Sequence, residues 1–247
     1  MTKRLFFQCA YDGSNYSGWQ KQPNAVTIQS TIEEKLSRLF PRKPIDTVGC
    51  GRTDAGVHAK ESYFQADLPE LYTLEQLQFK LNNMLPPDIA INNIIEVAQD
   101  AHARFDATSR TYQYYINHKK LPFRQRDSWF FPRELSVEKM NEGAKYLLGR
   151  QDFTSFSKLN TDVNNNFCEV YKAEWKVVGD QLRFEITANR FLRNMVRAIV
   201  GTLVDVGLGN TEPSDVKTII EMMDRGKAGF SVPARGLFLK CVEYPYI

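Results

Sequence analysis

Apolar and polar positions alternate from Arg4 to Tyr11, the period of a half-buried strand. The spacing then changes to Ile28, Ile32, Leu36, Leu39 and Phe40, which share one face of a helix over Thr27 to Phe40. Short strand patterns follow around Asp46 to Cys50 and Glu61 to Asp67. A second helix is predicted to start at Thr73, which has a capping-box partner in Gln76, with Leu74, Leu77, Leu81 and Met84 turned inward. Ile89 to Val97 completes a β-α-β-β-α-β order.

The second half repeats that order without obvious sequence identity. Arg110 to His118 reads as a strand, and Ser136 caps a helix carrying Met140, Ala144, Leu147 and Leu148. Phe167 to Val178 and Gln181 to Ala188 predict a hairpin turned at Gly179-Asp180. A helix from about Phe191 to Val206 buries Leu192, Met195, Val196, Ile199 and Leu203. An extra helix from Ser214 to about Arg225 and a strand at Leu237 to Val242 follow. The expected class is α/β of the α+β kind: two fused β-α-β-β-α-β units, ferredoxin- or RRM-like, sharing a sheet, with an active-site cleft between them. The halves are residues 1–100 and 101–247.

The chain's 247 residues, 43% hydrophobic, suffice for a real core. Cys9, Cys50, Cys168 and Cys241 are widely spaced, so neither a disulfide framework nor a zinc cluster is expected. The opening residues carry no apolar signal core, and the most apolar later stretch is interrupted by Arg197 and Asp205. A cytoplasmic protein without membrane contact is the expectation.

Charge and candidate chemistry sharpen this picture. The first hundred residues carry 10 basic against 12 acidic side chains, the remainder 22 against 17. From Ala101 to Arg133, basic residues including Arg110, Lys119 and Lys120 interleave with Tyr112, Tyr114, Tyr115, Phe123 and Trp129, a composition suited to a polyanion with stackable rings. Arg190, Arg193 and Arg197 are spaced to share one face of the predicted helix, Arg197 nearest its buried edge. In GRTDAG, Gly51 to Gly56, two glycines bracket a hydroxyl and two charges, a way to hold Asp54 in a set direction.

YDGSNYSGWQ, TIQSTIEEKL, GRTDAGVHA, LPPDIAI, ARFDATSRTYQYYI, FLRNMVRAIVGTL and VPARGLFL occur in order along nearly the whole chain. Together they resemble the motifs of the TruA family of tRNA pseudouridine synthases. The resemblance implies a two-halved α/β fold, usually a homodimer, that isomerises uridine to pseudouridine in the anticodon stem-loop, at expected positions 38–40, without metal or cofactor. It further implies Asp54 as the catalytic aspartate and Tyr112 as the ring that stacks on the target base. Arg197 would pair with the aspartate, Leu237 would line the pocket, and Arg52 would help open the stem-loop. Arg110, Lys119, Lys120, Arg190 and Arg193 are the candidate contacts to tRNA phosphates.

The chemistry is consistent with these assignments. Isomerisation breaks the N1–C1′ bond, turns the uracil and rejoins it through C5, so it needs an ionised carboxylate near C1′ and a platform that retains the base. The sequence leaves open whether the carboxylate attacks C1′ or takes the C2′ proton. Two features depart from the family pattern: Lys60-Glu61-Ser62 after GVHA, where a GQ pair is common, and the Asn-rich stretch from Lys158 to Phe167. One alternative is a non-catalytic RNA-binding protein of two RRM-like units, but neither half shows the aromatic RNP signature. Another is a metal-dependent hydrolase using Asp54 and His58, but no acidic cluster accompanies them.

Overall fold

Two threonines start helices by the same device. Thr27 and Ser30 exchange side-chain-to-amide bonds, each of 3.1 Å, and Thr73 and Gln76 repeat the exchange at 3.2 Å. These capping boxes open α1 (Ile28–Leu39) and α2 (Leu74–Met84), each cap contributing about 1 kcal/mol. The computed structural model describes residues 2–42, 44–158 and 165–247. It divides into two units, Met1–Thr108 with Leu239–Ile247, and Ser109–Phe238. The class is α+β.

The first unit contains β1 (Thr2–Tyr11), β2 (Val48–Gly49), β3 (His58–Pro69) and β4 (Ile89–Val97). β1 pairs antiparallel with both β3 and β4, and β2 pairs with β3. With α1 and α2 between them, these strands run in the expected β-α-β-β-α-β order. Phe7 and Phe64, cross-strand partners, stack at 4.6 Å; Ile28, Ile32, Leu36, Leu77 and Leu81 are buried. Leu74 and Met84 are only half-buried. Phe6 and Tyr63 have the opposite parity to Phe7 and Phe64, so they face the other side of the sheet. Tyr244 packs edge-on against both, at 5.4 and 5.3 Å, and its hydroxyl donates to the Ala103 carbonyl at 2.5 Å.

The second unit contains β5 (Ser109–Asn117), β6 (Trp129–Phe130), α3 (Val137–Lys145), β7 (Gly149–Asp152), β8 (Phe167–Val178), β9 (Gln181–Ala188), α4 (Met195–Gly207) and α5 (Asp215–Glu221). Its strand order is β5-β9-β8-β7, with β6 parallel to β5. The β8–β9 hairpin turns where expected, with Gly179 at φ +59°. Ser136 caps α3, and Met140, Ala144 and Leu147 are buried, but Leu148 lies past the helix end and is exposed. β10 (Leu237–Glu243) belongs from Leu239 onward to the first unit, where it follows β3. β6 and β7, of two and four residues, are too short to leave a period in the sequence.

One helix starts later than its periodicity predicts. α4 begins at Met195, because Asn194 adopts a left-handed conformation, φ +68°, that no regular helix accepts. Leu192 joined the apolar series because a turn, closed by the Met195 amide on the Leu192 carbonyl at 3.1 Å, has the same three-residue spacing as a helix. Arg190 and Arg193 therefore precede the helix, and the shared basic face with Arg197 does not exist. α5 is likewise shorter than expected, ending at Glu221. The Asn-rich stretch lies largely outside the described residues. Among the described residues, no helix is long and apolar enough to cross a membrane.

Candidate active site

Asp54 sits on the loop between β2 and β3, as expected, and the backbone aims it. The Val57 amide donates to the Asp54 carbonyl at 3.1 Å, closing a tight turn with Gly56 at its third position and φ +76°. Positive φ there is the type II requirement that glycine meets without strain. The turn is tied down from below: the Gly56 amide donates to the Tyr16 carbonyl at 3.3 Å, and the Trp19 amide to the Thr53 carbonyl at 3.2 Å. Thr53 is buried and its hydroxyl bonds Tyr11 at 2.9 Å. Asp54 itself is half-buried, between exposed Arg52 and Ala55.

The glycine that lets this happen lies elsewhere. Gly18 has φ +88°, and a Cβ added to it would stand 2.5 Å from the Thr53 carbonyl oxygen and 3.2 Å from the Asp54 carbonyl carbon. A Cβ at Gly51 would meet nothing within 4 Å, and its φ is ordinary. The expectation that both ends of GRTDAG constrain the loop thus holds for Gly56 and fails for Gly51. Trp19, next to Gly18, is 1% exposed, with its indole laid against Gly49. Burying that ring is worth about 4 kcal/mol, against about 1 kcal/mol for the Thr53–Tyr11 bond, so the tryptophan is the anchor. YDGSNYSGWQ holds the glycine and the tryptophan of this cradle, but their approach to Thr53 and Asp54 is a matter of tertiary structure.

His58 is no partner for Asp54 in a helical metal pair, since it opens β3 rather than continuing a helix. Its Nδ1 lies 3.2 Å from the Gly13 amide and 3.0 Å from an Asp12 carboxylate oxygen, and that oxygen accepts the Ser14 amide at 2.9 Å, so the imidazole is tied to the loop after β1. Among the described residues, no group of three or more His, Cys, Asp or Glu is placed to hold a metal ion. The atypical Lys60-Glu61-Ser62 segment lies in β3. Ser62 is buried against the Cys50 thiol at 3.4 Å, and burial pushes the neighbouring Cys9 thiol well up.

Tyr112, Arg197 and Leu237 belong to the second unit. On β5, Tyr112 and Tyr114 point to one face. Tyr114 is fully buried, its hydroxyl donates to the Pro233 carbonyl at 2.8 Å, and burial raises its pKa far above the ordinary phenol value. Tyr112 is only half-buried, with its ring edge-to-face on Phe191 at 5.1 Å. Of the two, only Tyr112 keeps contact with solvent. Leu237 is buried at the start of β10.

Arg197 lies in the first turn of α4, half-buried in a helix otherwise largely covered. Its Nε donates to the Val232 carbonyl at 2.7 Å, and the Val232 amide returns to the Arg197 carbonyl at 3.3 Å. The segment around Val232 is strapped to α4 by further bonds. Asn194, at the helix start, donates to the Ser231 hydroxyl at 2.6 Å, and the Gly229 amide bonds Thr202 at 2.8 Å; within the segment itself, Arg225 reaches the Ser231 oxygen at 3.0 Å. Among the candidate tRNA contacts, Lys119, Lys120 and Arg193 are exposed, and Arg110 donates to the Asn189 carbonyl at 2.8 Å. Arg190 is half-buried near Cys168, whose thiol is pushed up to about 11 by burial, an effect that Arg190 opposes.

Comparison with known proteins places the chain among relatives. A family described as tRNA pseudouridine synthase matches residues 9–106 and 144–245. The chain is 51% identical to tRNA pseudouridine synthase A of Porphyromonas gingivalis, over 98% of this chain and 97% of that one. It is 51% identical to tRNA pseudouridine synthase A of Parabacteroides distasonis, over 98% and 96%, and 40% identical to that of Bacillus subtilis, over 98% and 99%.

Proposed function

The chain belongs to the tRNA pseudouridine synthase family, a family of isomerases, and from that premise we propose that it acts on the anticodon stem-loop with Asp54 as its catalytic carboxylate. The carrying observation is the Asp54 loop, a half-buried carboxylate whose direction is set by backbone bonds and two glycines of positive φ. In the reaction the N1–C1′ bond breaks and a C5–C1′ bond forms. C5 gives up its proton and N1 gains one, so nothing is oxidised and no group donor is consumed.

In this reading the target uridine is flipped out of its stack at a cost of a few kcal/mol. The flipped uracil stacks on Tyr112, and the support for that residue is its half-buried ring beside the fully buried Tyr114. Arg197 pairs with Asp54, and Leu237 lines the pocket. Arg52 assists opening of the stem-loop. Arg110, Lys119, Lys120, Arg190 and Arg193 form the tRNA surface. The protein works as a homodimer in the cytoplasm.

The test is to map pseudouridine in tRNA from cells lacking the gene. Loss confined to the anticodon stem-loop, restored by the intact gene and not by an Asp54→Asn copy, is the expected outcome; loss elsewhere in tRNA overturns the site assignment. Charge reversal at Lys119 and Lys120 should also flatten the salt dependence of tRNA binding, since each phosphate left without its basic partner takes about 0.7 to 0.9 off the log–log slope. The RNA-binding alternative requires no turnover at all and falls if the purified protein forms pseudouridine.

A further inference from the structure

Behind the loop, buried polar side chains connect α1 to Arg52. Glu33, 5% exposed, accepts the Thr47 amide at 3.0 Å and hydroxyl at 3.2 Å, and pairs with Lys21 at 3.0 Å. Gln29, 6% exposed, donates to the Thr47 carbonyl at 2.8 Å and to Glu33 at 3.1 Å. Its Oε1 accepts the Lys21 amide and the Gln20 side chain, both at 2.9 Å. A backbone carbonyl only accepts and a backbone amide only donates, so the Gln29 amide has one permitted orientation. That orientation forces Gln20 to present its NH2 to Gln29 and its oxygen outward. The outward oxygen meets Arg52 Nε at 3.2 Å.

Arg52 is exposed, and Gln20 is its one hydrogen-bond partner among the described residues. The bond takes Nε and leaves both terminal amino groups without an acceptor among the described residues. A guanidinium held at its stem with its fork open suits an RNA phosphate or a base edge. An exposed arginine that became ordered only on contact would lose its rotamer freedom at that moment; one tethered beforehand has already lost part of it. We propose that the Glu33–Gln29–Gln20 relay aims Arg52 at the RNA and that Gln20 is a positioning residue for base extrusion, acting through Arg52. This rests on the role given above to Arg52.

A double-mutant cycle separates positioning from a tie that merely holds α1 to the loop. Gln20→Leu, Arg52→Ala and the double variant are compared by single-turnover pseudouridine formation, by tRNA affinity and by thermal unfolding. Loss of one hydrogen bond to a charged group predicts about a tenfold lower rate for Gln20→Leu. In the Arg52→Ala background the same substitution should change nothing. Rate losses that multiply, or a Gln20→Leu enzyme at the wild-type rate, overturn the proposal. Gln20→Ser serves if leucine disturbs folding.

An activity-independent readout keeps the relay distinct from the functional reading. In the ¹⁵N spectrum of the free protein, the Arg52 Nε–H signal, assigned by its absence in Arg52→Lys, should be sharp and slowly exchanging. It should broaden in Gln20→Leu. An unchanged signal overturns the relay even in an active enzyme, whereas a protein with the expected signal that forms no pseudouridine overturns the functional reading alone.

Discussion

Asp54 and Arg197 are held by opposite means. The carboxylate is aimed by main chain: amides of Trp19, Gly56 and Val57 fix the turn, and Gly18 lets a second strand of backbone lie against it. The arginine is aimed through a side-chain bond to a strap, itself fastened at α4 by Asn194 on Ser231 and by Gly229 on Thr202. Main-chain positioning depends on where glycine is allowed and is indifferent to most nearby side chains. Side-chain positioning can be undone one hydrogen bond at a time, each costing about 1 kcal/mol. The first arrangement should therefore fail abruptly under substitution and the second gradually.

The largest expected effect removes the charge and leaves the geometry. Asp54→Asn should lower tritium release from C5-labelled uridine in tRNA by about 10³-fold or more while tRNA affinity stays within about twofold of wild type. Release at the wild-type rate would return the loop to the status of a turn. Next come the glycines. Gly56→Val forces a branched residue to φ +76° and Gly18→Val drives a side chain into the Thr53 carbonyl, so turnover should fall about 10²-fold in each. Gly51→Val, facing open space, should stay within about twofold, and a large loss there would mean that Gly51 constrains the loop after all.

Smaller effects belong to the arginine. Arg197→Lys keeps the charge but loses the planar fork and the Nε bond to Val232, and should reduce turnover about tenfold with little change in tRNA binding. Ser231→Ala, two bonds removed from the guanidinium, should cost about threefold by the same measurement. If Ser231→Ala proved worse than Arg197→Lys, the strap would have a role of its own beyond holding the arginine.

The sequence made the strands and capped helices legible because their signals are local. Thr73 with Gln76, Ser136, and Gly179-Asp180 each act within a few residues of themselves, and β4 and the β8–β9 hairpin begin and end where the pattern places them. Periodicity misled at Leu192, where a turn imitates helical spacing. The candidate residues are named from motifs, and Gly56 is the one part of what aims them that the motif itself carries. Gly18 matters because of its approach to Thr53 and Asp54, dozens of residues away, and Ser231 because of Asn194. No local pattern reports such long-range neighbours.

The route of the chain through its two units has a consequence for biosynthesis. Residues 239–247 belong with the first unit, where Tyr244 lies between Phe6 and Tyr63 and bonds Ala103, yet the ribosome makes them only after all of Ser109–Phe238. During translation the first unit must therefore wait, with Phe6 and Tyr63 uncovered on one side of its sheet, while an entire second unit emerges. That interval is an opening for chaperones or for mispairing between nascent chains.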